Sequence, residues 1–487
     1  MNADTPVSAG TGACCAALSS VLGDRVSLRN SEPYNNSLQS YFSLQNSNLQ
    51  PLCIVAPGSA EDVSAALTRI TSTISSLPPP EQAQCHFAIR SGGHASYVGA
   101  SNIDNGITID LSSLNTIRLS DDHTSVSVGV GATWGDVYAV LEPLGLSVAG
   151  GRAAQVGIDG LTLGGGISYF SPRYGWTCDT VTNFELVLAN GEVVQANEEQ
   201  NPELLAALRG GASNFGIVTT IDLKTFQQGF IWGGIAYYSL DTIDDQLKAF
   251  AELNSADKYD EHASLITSFG YAAGKGAAIV NSIVYTKAEE NPEVYKLFLE
   301  IPSLYSSMQT RSITEMSQVQ GSFQVNGKRE MSVVITHDST IPMLNATYLR
   351  WKSSLPAIEG LNGIHWSISL EPLPPAIYAR APTKNALGLS EKRQALVVTL
   401  LNATWEDEAD DAKVEETARA LFAGIEEDAR KLGSYVPFVY LNYAAEWQDP
   451  IASYGEESVT RLRSVSKEVD STGVFRVNMP GGFKIPA

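Results

Sequence analysis

Glycine is concentrated in one part of the chain, and this concentration constrains the fold more than any other feature. Glycines cluster within 120 residues, at Gly92-Gly93, Gly150-Gly151, Gly157, Gly160, Gly164-Gly165-Gly166 and Gly210-Gly211. Glycine permits a positive φ and lets backbone N–H groups approach a ligand without interference from a Cβ atom. Taken singly, each glycine fits a tight turn between short strands. Together they predict loops that hold a large, phosphate-bearing cofactor.

Short strands and helices alternate around these glycines. Residues 52–56 predict a strand, and residues 60–74 predict a helix that ends before three prolines. Residues 124–130 alternate polar and apolar side chains, which predicts a half-buried strand. Residues 184–194 predict a hairpin, because they contain an Asn-Gly turn.

The glycine content and the predicted secondary structure of the chain change after residue 228. Glycine becomes less frequent, and strands alternate with longer amphipathic helices predicted at 242–253, 291–300 and 409–431. The last forty-odd residues are again rich in loops. We therefore expect an α+β fold in three parts, which are a first domain at 1–228, a second domain at 229–434 and a C-terminal segment at 435–487 that returns to the first domain.

Charge and hydropathy exclude several classes of partner. The chain has 487 residues with 53 acidic and 32 basic side chains, and its formal net charge is −21. Such a charge repels phosphate backbones and anionic membrane surfaces, so neither nucleic acid nor a membrane is expected as a partner. The longest apolar stretches, such as residues 394–401, have the length of a strand and are far shorter than a membrane span of about 20 residues.

The familiar catalytic motifs are incomplete or absent in this sequence. Residues 129–135 read Gly-x-Gly-x-x-x-Gly, which places the third glycine of a dinucleotide-binding fingerprint one residue late. The sequence contains neither a P-loop nor a Gly-x-Ser-x-Gly nucleophile elbow. Its six histidines show no metal-binding spacing, and we predict no metal site.

The cysteines and the N-glycosylation sequons bear on whether the protein is secreted or intracellular. The five cysteines lie in the first 178 residues without Cys-x-x-Cys spacing, at Cys14, Cys15, Cys53, Cys85 and Cys178, and their disulfide pairing stays open. Three Asn-x-Ser/Thr sequons begin at Asn35, Asn345 and Asn402, as in a secreted glycoprotein, although a chain of this length shows a few by chance. We expect secretion after removal of a signal peptide, with an intracellular protein as the alternative.

Five motifs in order resemble the FAD-binding domain of the vanillyl-alcohol oxidase superfamily, and the chain is most similar to the fungal berberine-bridge-enzyme-like oxidases. The resemblance runs over about residues 45–227 and returns at 440–443 and in the C-terminal tail. It implies a two-part FAD-binding domain of the PCMH type and a substrate domain whose antiparallel sheet is covered by helices. The motifs are Ile89-Arg90-Ser91-Gly92-Gly93-His94, Ile109-Asp110-Leu111-Ser112, Val128 to Trp134, Gly150 to Gly166, and Leu208 to Val218.

The resemblance also implies how FAD is held. His94 occupies the position of the histidine that bonds to the 8α-methyl group of the flavin. Relatives with a second, cysteinyl link have cysteine where this chain has Ala153, so a single covalent link is predicted. The remaining cofactor-binding residues implied are Arg90, Ser91, Gly92, Gly93, Val156, Gly157, Gly160, Gly164, Gly165, Ile217, Val218 and Asn442.

Val156 matches the position that controls access of oxygen in plant relatives, where valine admits oxygen to the flavin and leucine blocks it. The resemblance therefore implies an oxidase that uses O2 and releases hydrogen peroxide. Ordinary packing is the other interpretation of this valine.

Two residues are predicted to act in catalysis. Tyr443 ends a strand predicted at residues 438–443. It closes the stretch Tyr440-Leu441-Asn442-Tyr443 and matches the catalytic base of oligosaccharide oxidases. Lowering the pKa of a phenol by two units requires about 2.7 kcal/mol from its surroundings. Glu371 ends a strand on which His365, Ser367 and Ser369 share its face, as a polar wall beside the flavin or as an ordinary solvated face.

Several functions remain open. The leading one is FAD-dependent dehydrogenation of a small organic substrate, such as a fungal secondary metabolite, with O2 as electron acceptor. A carbohydrate oxidase and a cyclase or isomerase without net redox change are the alternatives. The glutamate base of berberine bridge enzyme has no counterpart in residues 395–401, so that enzyme's reaction is not expected. A binding protein without flavin is a further alternative. The oligomeric state is not predicted.

Overall fold

A computed structural model describes residues 12–255, 259–378 and 384–487. The N-terminal part contains a four-stranded sheet in the order β1-β2-β4-β3, in which β2, β4 and β3 are parallel. Parallel strands need long crossover connections, and helix α4 (Ala60–Ser76) with its neighbouring turns provides one between β2 and β3. The strands are β1 (Val26–Leu28), β2 (Cys53–Val55), β3 (Phe87–Arg90) and β4 (Ile107–Asp110).

A five-stranded antiparallel sheet follows, in the order β5-β6-β10-β8-β9. The predicted hairpin forms β8 and β9, and Gly191 adopts a φ of +85° in its turn. The strands are β5 (Ile117–Leu119), β6 (Ser125–Gly129), β8 (Val181–Val187), β9 (Val193–Asn197) and β10 (Ile217–Lys224), and a separate pair joins β7 (Leu146–Ser147) to β11 (Phe226–Gln227).

The later part of the chain forms a larger antiparallel sheet. Its order is β15-β12-β14-β13-β18-β19-β17-β20, and β16 also pairs with β12. The strands are β12 (Ile231–Tyr238), β13 (Ala263–Ala272), β14 (Gly276–Tyr285), β15 (Tyr305–Ser306), β16 (Gln309–Arg311), β17 (Arg329–Asp338), β18 (His365–Leu373), β19 (Leu396–Trp405) and β20 (Tyr435–Val436).

Helices cover both parts of the chain. The described helices are α1 (Ala13–Leu22), α2 (Glu32–Gln39), α3 (Leu44–Ser47), α4 (Ala60–Ser76), α5 (Pro79–Gln82), α6 (Trp134–Leu141), α7 (Ile158–Leu163), α8 (Ser171–Tyr174), α9 (Pro202–Leu208), α10 (Ile243–Leu253), α11 (Lys296–Leu299), α12 (Ile313–Gly321), α13 (Ile341–Ile358), α14 (Pro375–Tyr378), α15 (Asp411–Lys431), α16 (Glu456–Val469) and α17 (Val474–Val477). The predicted α+β fold is confirmed. The helix predicted at 291–300 is shorter, with a 3₁₀ turn at Glu293–Tyr295 before α11.

The two faces of the large sheet have different environments. Side chains alternate along a strand, so Trp366, Ile368 and Leu370 of β18 point to one face, where they join a core with residues of α13 and α15. Leu373 and Val398, on the other face, join the core of the N-terminal part. This second face, which we call the inner face, therefore faces the glycine-rich loops.

The end of the chain differs from the prediction. Residues 438–443 were expected to form a strand, but the structure has irregular backbone there and a 3₁₀ turn at Leu441–Tyr443, so that expectation is wrong. This segment and the tail contact the N-terminal part: Tyr440 accepts a hydrogen bond from Gly166 N, and Asn478 O accepts one from Phe87 N. Among the described residues, no helix is long and apolar enough to cross a membrane.

Two disulfides tie the N-terminal part together. Cys14 bonds to Cys85 and Cys15 bonds to Cys53, with Cα separations of 5.5 Å and 6.0 Å. Cys178 is a buried free thiol. Because the adjacent Cys14 and Cys15 both lie on α1, the two bonds attach that helix to β2 and to the turn that precedes β3. The pairing that the sequence left open is thus resolved.

Removal of one disulfide should lower stability. The Cys15–Cys53 bond joins residues 38 positions apart, and a crosslink of this kind typically contributes about 2–4 kcal/mol to the free energy of unfolding. We expect the double variant Cys15→Ser/Cys53→Ser, which leaves no unpaired thiol from this bond, to lose stability in that range in urea unfolding. An unchanged unfolding midpoint in the absence of reductant would contradict the assignment.

Candidate active site

The loop after β3 is anchored by the first two residues of the Arg-Ser-Gly-Gly-His motif. Arg90 is buried, and its Nη1 donates to Asp110 Oδ2 at 3.1 Å and to the carbonyl of Ser37 at 2.7 Å. Ser91 Oγ donates to the carbonyl of Val130 at 2.6 Å. Arg90 and Ser91 thus fix the position of the loop that carries His94.

Gly92 and Gly157 bring two loops into backbone contact. A Cβ atom on Gly92 would lie 2.7 Å from the backbone of Gly157, and one on Gly157 would lie 2.6 Å from Gly92 N. Any side chain at either position would force the loops apart. Gly93 has a φ of +64°, which reverses the chain directly before His94. The close contact places His94 in the loop beside Val156.

His94 has the chemistry of a group that could bond to a cofactor. Its ring stacks on Phe42, with the ring centroids 4.1 Å apart, and its Nε2 is buried without a hydrogen-bond partner in the part of the chain that the structure describes. Burial lowers the pKa of His94 to about 4, and nearby Gln324 has a smaller effect in the opposite direction. The imidazole is therefore neutral at physiological pH, and a neutral ring nitrogen can act as a nucleophile.

The second glycine segment surrounds α7. A Cβ on Gly164 would lie 2.0 Å from Asn442 Oδ1, so this glycine lets the C-terminal segment pack against the helix. Asn442 Nδ2 donates to the carbonyl of Leu161 at 2.9 Å and to Tyr440 Oη at 3.0 Å. Space is open beside Gly160, where a Cβ would contact nothing within 4 Å, and Gly165 has a φ of +111°.

Three predicted cofactor residues have packing roles. Ile217 and Val218 begin β10 with buried side chains and pair with β8. Val156 is partly buried against the core of the N-terminal part, and its carbonyl accepts a hydrogen bond from Trp134 N at 3.0 Å. Its position next to Gly157 keeps it beside the His94 loop.

The two predicted catalytic residues meet at a third residue, Arg152. Arg152 Nη2 donates to Glu371 Oε2 at 2.8 Å and to Tyr443 Oη at 2.6 Å. Tyr443 Oη donates to Glu371 Oε1 at 3.2 Å. Arg152 comes from the glycine-rich loops, Glu371 from β18 and Tyr443 from the C-terminal 3₁₀ turn. We call these three residues the Arg–Glu–Tyr cluster.

The two charged residues of this cluster have opposite effects on the pKa of Tyr443. Burial raises the pKa of Tyr443 well above its ordinary value; Arg152 lowers it, and Glu371 raises it again. The lowered pKa that a tyrosinate base would need is therefore not found. Burial alone would lower the pKa of Arg152, but Glu371 and Tyr443 raise it, so the guanidinium stays charged.

The row of side chains before Glu371 lies on the inner face. Ser367, Ser369 and Glu371 are all buried, with exposed fractions of 6%, 7% and 3%. Ser369 shares a hydrogen bond of 2.8 Å with Ser268 of β13. These values exclude a solvated face for this row, which was the alternative interpretation of the sequence.

The sequence alone indicates no role for Arg152, although this residue lies within the glycine-rich motif Gly150 to Gly166. Its signal was an arginine directly after Gly150-Gly151, a cation with no acidic neighbour in the local sequence. Its partners are 219 and 291 residues away along the chain, so only the fold reveals them. Among the described residues, no group of three or more His, Cys, Asp or Glu side chains is arranged to hold a metal ion.

Comparison with known proteins identifies relatives. A family model described as FAD binding domain matches residues 51–197. The FAD-dependent monooxygenase CTB5 of Cercospora beticola is 35% identical over 487 residues, which cover 97% of this chain and 92% of the relative. Oligopeptidase PhomG' of Diaporthe leptostromiformis is 43% identical over 474 residues and 96% of this chain, but the chain spans only 37% of its length.

Solved structures share the fold at low sequence identity. A berberine-bridge-enzyme-like protein of Physcomitrella patens has a TM-score of 0.78 with 19% identity, over 97% of this chain and 99% of the other. Xylooligosaccharide oxidase of Myceliophthora thermophila has a TM-score of 0.76 with 20% identity, over 98% and 100%. Glucooligosaccharide oxidase of Acremonium strictum, with a 6-S-cysteinyl, 8α-N1-histidyl FAD, has a TM-score of 0.76 with 17% identity, over 95% and 97%. The chain therefore belongs to the family of FAD-dependent oxidoreductases that includes the fungal FAD-dependent monooxygenases.

Proposed function

We propose that the chain is an oxidase that acts on a small organic substrate, such as a fungal secondary metabolite, and removes a hydride from a hydroxyl-bearing carbon and the proton from its hydroxyl group. The observation that carries this proposal is the Arg–Glu–Tyr cluster, which joins a phenol to a carboxylate in a buried site on the inner face. FAD, when bound, supplies the acceptor for the hydride that leaves carbon. Removal of the hydroxyl proton remains for the protein.

The cluster can accept that proton without forming a free tyrosinate. As the substrate hydroxyl gives its proton to Tyr443 Oη, the phenolic proton of Tyr443 passes to Glu371 Oε1, which lies 3.2 Å away. The phenol is neutral before and after the step, so its raised pKa is no obstacle. Arg152 orients both partners through Nη2. The substrate loses one proton and one hydride and becomes a carbonyl compound.

His94 is proposed as the single covalent attachment point for FAD. Its support is the neutral, unpartnered Nε2 in a loop fixed by Arg90 and Ser91. Ala153 cannot form a thioether. Burial, followed by the charge of Asp179, raises the pKa of the Cys178 thiol well above its ordinary value, so this thiol is a poor nucleophile for a second link. Gly157 and Gly160 are proposed to line the cofactor with backbone N–H groups. The N–H groups of Gly164 and Gly165 donate to the carbonyls of Gly160 and Thr162, so these two glycines are proposed to contribute only the close approach of their backbone.

Oxygen is proposed as the electron acceptor, with Val156 at its entry. If the valine keeps a path to the cofactor open, Val156→Leu should slow reoxidation of the reduced flavin by O2 at least about 10-fold, because an added methylene in packed surroundings closes small spaces. The rate of reduction by substrate should be unchanged. Stopped-flow mixing of reduced enzyme with O2 measures the first rate, and Val156→Ala serves as the control. Equal reoxidation rates for all three proteins would contradict the role of Val156.

The names of the relatives provide a second candidate, a monooxygenase. An oxidase returns both oxygen atoms of O2 as hydrogen peroxide, whereas a monooxygenase transfers one of them to its product. Turnover under ¹⁸O2 separates the two: we expect one H2O2 for each O2 consumed and no ¹⁸O in the organic product. A cyclase or isomerase would leave the flavin oxidised after anaerobic mixing with substrate, whereas an oxidase bleaches it.

Secretion is part of the proposal, because two disulfides fit an oxidising compartment. Two of the three sequons lie on exposed helix positions, at Asn35 and Asn345, and are accessible to a glycan. Asn402 is half-buried in β19, between β17 and β18, and is a poor acceptor. The proposed partners are a small substrate and O2.

A further inference from the structure

A second group of polar side chains lies on the inner face, beyond Ser369. In the register of the sheet, Thr404 of β19 lies between Glu330 of β17 and His365 of β18, and one step further along Asn402 lies between Ser332 and Ser367. These two rows contribute one polar residue from each of three adjacent strands. We call the six residues the distal polar patch: Glu330, Ser332, His365, Ser367, Asn402 and Thr404.

The patch shares a surface with the Arg–Glu–Tyr cluster. Ser367 and His365 precede Glu371 on β18 by four and six residues, and alternate residues of a strand point to the same face. At about 3.3 Å per residue, the patch is roughly 13–20 Å from Glu371. Gly270 of β13 lies opposite Ser367 and adds no side chain there, and a Cβ at this position would lie 3.0 Å from Ser367 Oγ.

Most of the hydrogen-bonding capacity of the patch is unused. Glu330 is only 6% exposed, and its Oε1 is buried without a partner in the described ranges. Within the patch, the described residues give one side-chain bond, from Ser332 Oγ to Asn402 Oδ1 at 3.5 Å. A buried carboxyl oxygen without a partner is costly and uncommon. Glu330 therefore indicates a missing ligand on this face, where its half-buried neighbours Ser332, His365, Asn402 and Thr404 offer further polar groups.

The patch is neutral and offers donors as well as acceptors. Burial raises the pKa of Glu330 to about 9, which the charge of Lys328 opposes, so the carboxyl group is protonated at pH 7 and can donate. Burial, followed by the charge of Lys275, lowers the pKa of His365, so the imidazole is uncharged. Hydroxyl and amide groups complete the set. Such a surface fits uncharged hydroxyl or carbonyl groups and disfavours an ionic ligand.

We infer that the distal polar patch binds the far end of the substrate, which is therefore an elongated, uncharged molecule with hydroxyl or carbonyl groups roughly 13–20 Å from the oxidised carbon. The inference rests on the proposed function, which places the oxidised carbon at Tyr443. Glu330 is its specificity-determining residue, because the other members of the patch are less buried or bear weaker donors.

The test compares two probes on the FAD-loaded enzyme, whose flavin is reduced beforehand and kept under anaerobic conditions so that neither probe is oxidised during the titration. Both are benzyl alcohols with a para-alkoxy chain long enough to reach the patch, and the chain ends in a vicinal diol in one probe and in an ethyl group in the other. Isothermal titration calorimetry should show that the diol probe binds about 10- to 100-fold more tightly, as expected for one or two hydrogen bonds to otherwise unpaired groups. Glu330→Leu should abolish this preference, and the matched variant Glu330→Gln should retain most of it.

Stability separates a binding role from a structural one. Glu330→Leu removes a buried carboxyl group without a partner, so the thermal midpoint of this variant should equal or exceed that of the wild type while the preference is lost. Equal affinities for the two probes, binding of neither probe, or an unchanged preference in Glu330→Leu would overturn the inference. Because binding is measured without turnover, a diol preference without oxidation of either probe would refute the proposed function and leave the patch standing.

Discussion

Replacing Tyr443 with phenylalanine should slow reduction of the flavin by substrate about 100- to 10,000-fold, the range that a positioned general base contributes. The phenylalanine keeps the ring that packs edge-on against Tyr440, at a centroid distance of 4.8 Å, but removes the oxygen between substrate and Glu371. Anaerobic stopped-flow absorbance measures this rate directly, without the later reaction with O2. Bound FAD and thermal midpoint should stay near their wild-type values.

Glu371→Gln tests the second half of the same path. The amide preserves the shape and can still accept a hydrogen bond from Arg152, but it cannot take up the phenolic proton of Tyr443. Flavin reduction should slow by a factor similar to that of Tyr443→Phe, and the double variant should be little slower than either single variant, since both residues act in one path. Reduction at the wild-type rate in Glu371→Gln would contradict transfer to the carboxylate.

The pH dependence separates this path from a tyrosinate base. Because burial raises the pKa of Tyr443 well above its ordinary value, the phenol stays protonated from pH 6 to 9. The rate of flavin reduction should therefore show no rise across this interval from ionisation of Tyr443. A rise that disappears in Tyr443→Phe would indicate a phenol of lowered pKa.

His94→Ala should eliminate the covalent attachment of FAD. In the wild type we expect the flavin to remain with the protein after acid precipitation, whereas in His94→Ala nearly all of it should appear in the supernatant. The flavin should also have a lower midpoint potential, since the bond at the 8α position withdraws electrons from the ring. Absorbance of the supernatant and a dye-equilibrated titration measure the two effects.

A second histidine serves as the control. His123 lies in an exposed turn with a φ of +59°, and His123→Asn preserves a residue type that tolerates this conformation. It should retain all of its flavin through acid precipitation. Release of flavin from wild-type protein, or its retention in His94→Ala, would exclude His94 as the attachment point.

The sequence predicted the local features well because they depend on neighbouring residues. The strand at β6 follows from its alternation, the hairpin of β8 and β9 from Asn190-Gly191, and the helix α4 from its cap and period. The strand prediction for residues 438–443 is wrong for a physical reason. Asn442 bonds to Leu161 and Tyr443 bonds to Arg152, so both side chains reach the segment Gly150 to Gly166. A 3₁₀ turn allows this for two adjacent residues, whereas a strand would point them to opposite faces.

The long-range features could not be read from spacing. Arg152 pairs with Glu371 and Tyr443 only because the inner face and the C-terminal turn both close over its loop. The same limit applied to the cysteines, since adjacent positions on α1 gave no indication of which of them bonds to Cys53. The distal polar patch depends on the register of β17, β18 and β19, which lie far apart in sequence.

We propose that FAD is fixed on His94 beside the Arg–Glu–Tyr cluster. The most direct test is mass spectrometry of the wild-type tryptic peptide that spans residues 91–118. We predict a peptide heavier by the mass of FAD less two hydrogens, with fragment ions that locate the addition at His94. An unmodified peptide from yellow, FAD-loaded protein, or an addition at any other residue, would contradict the account.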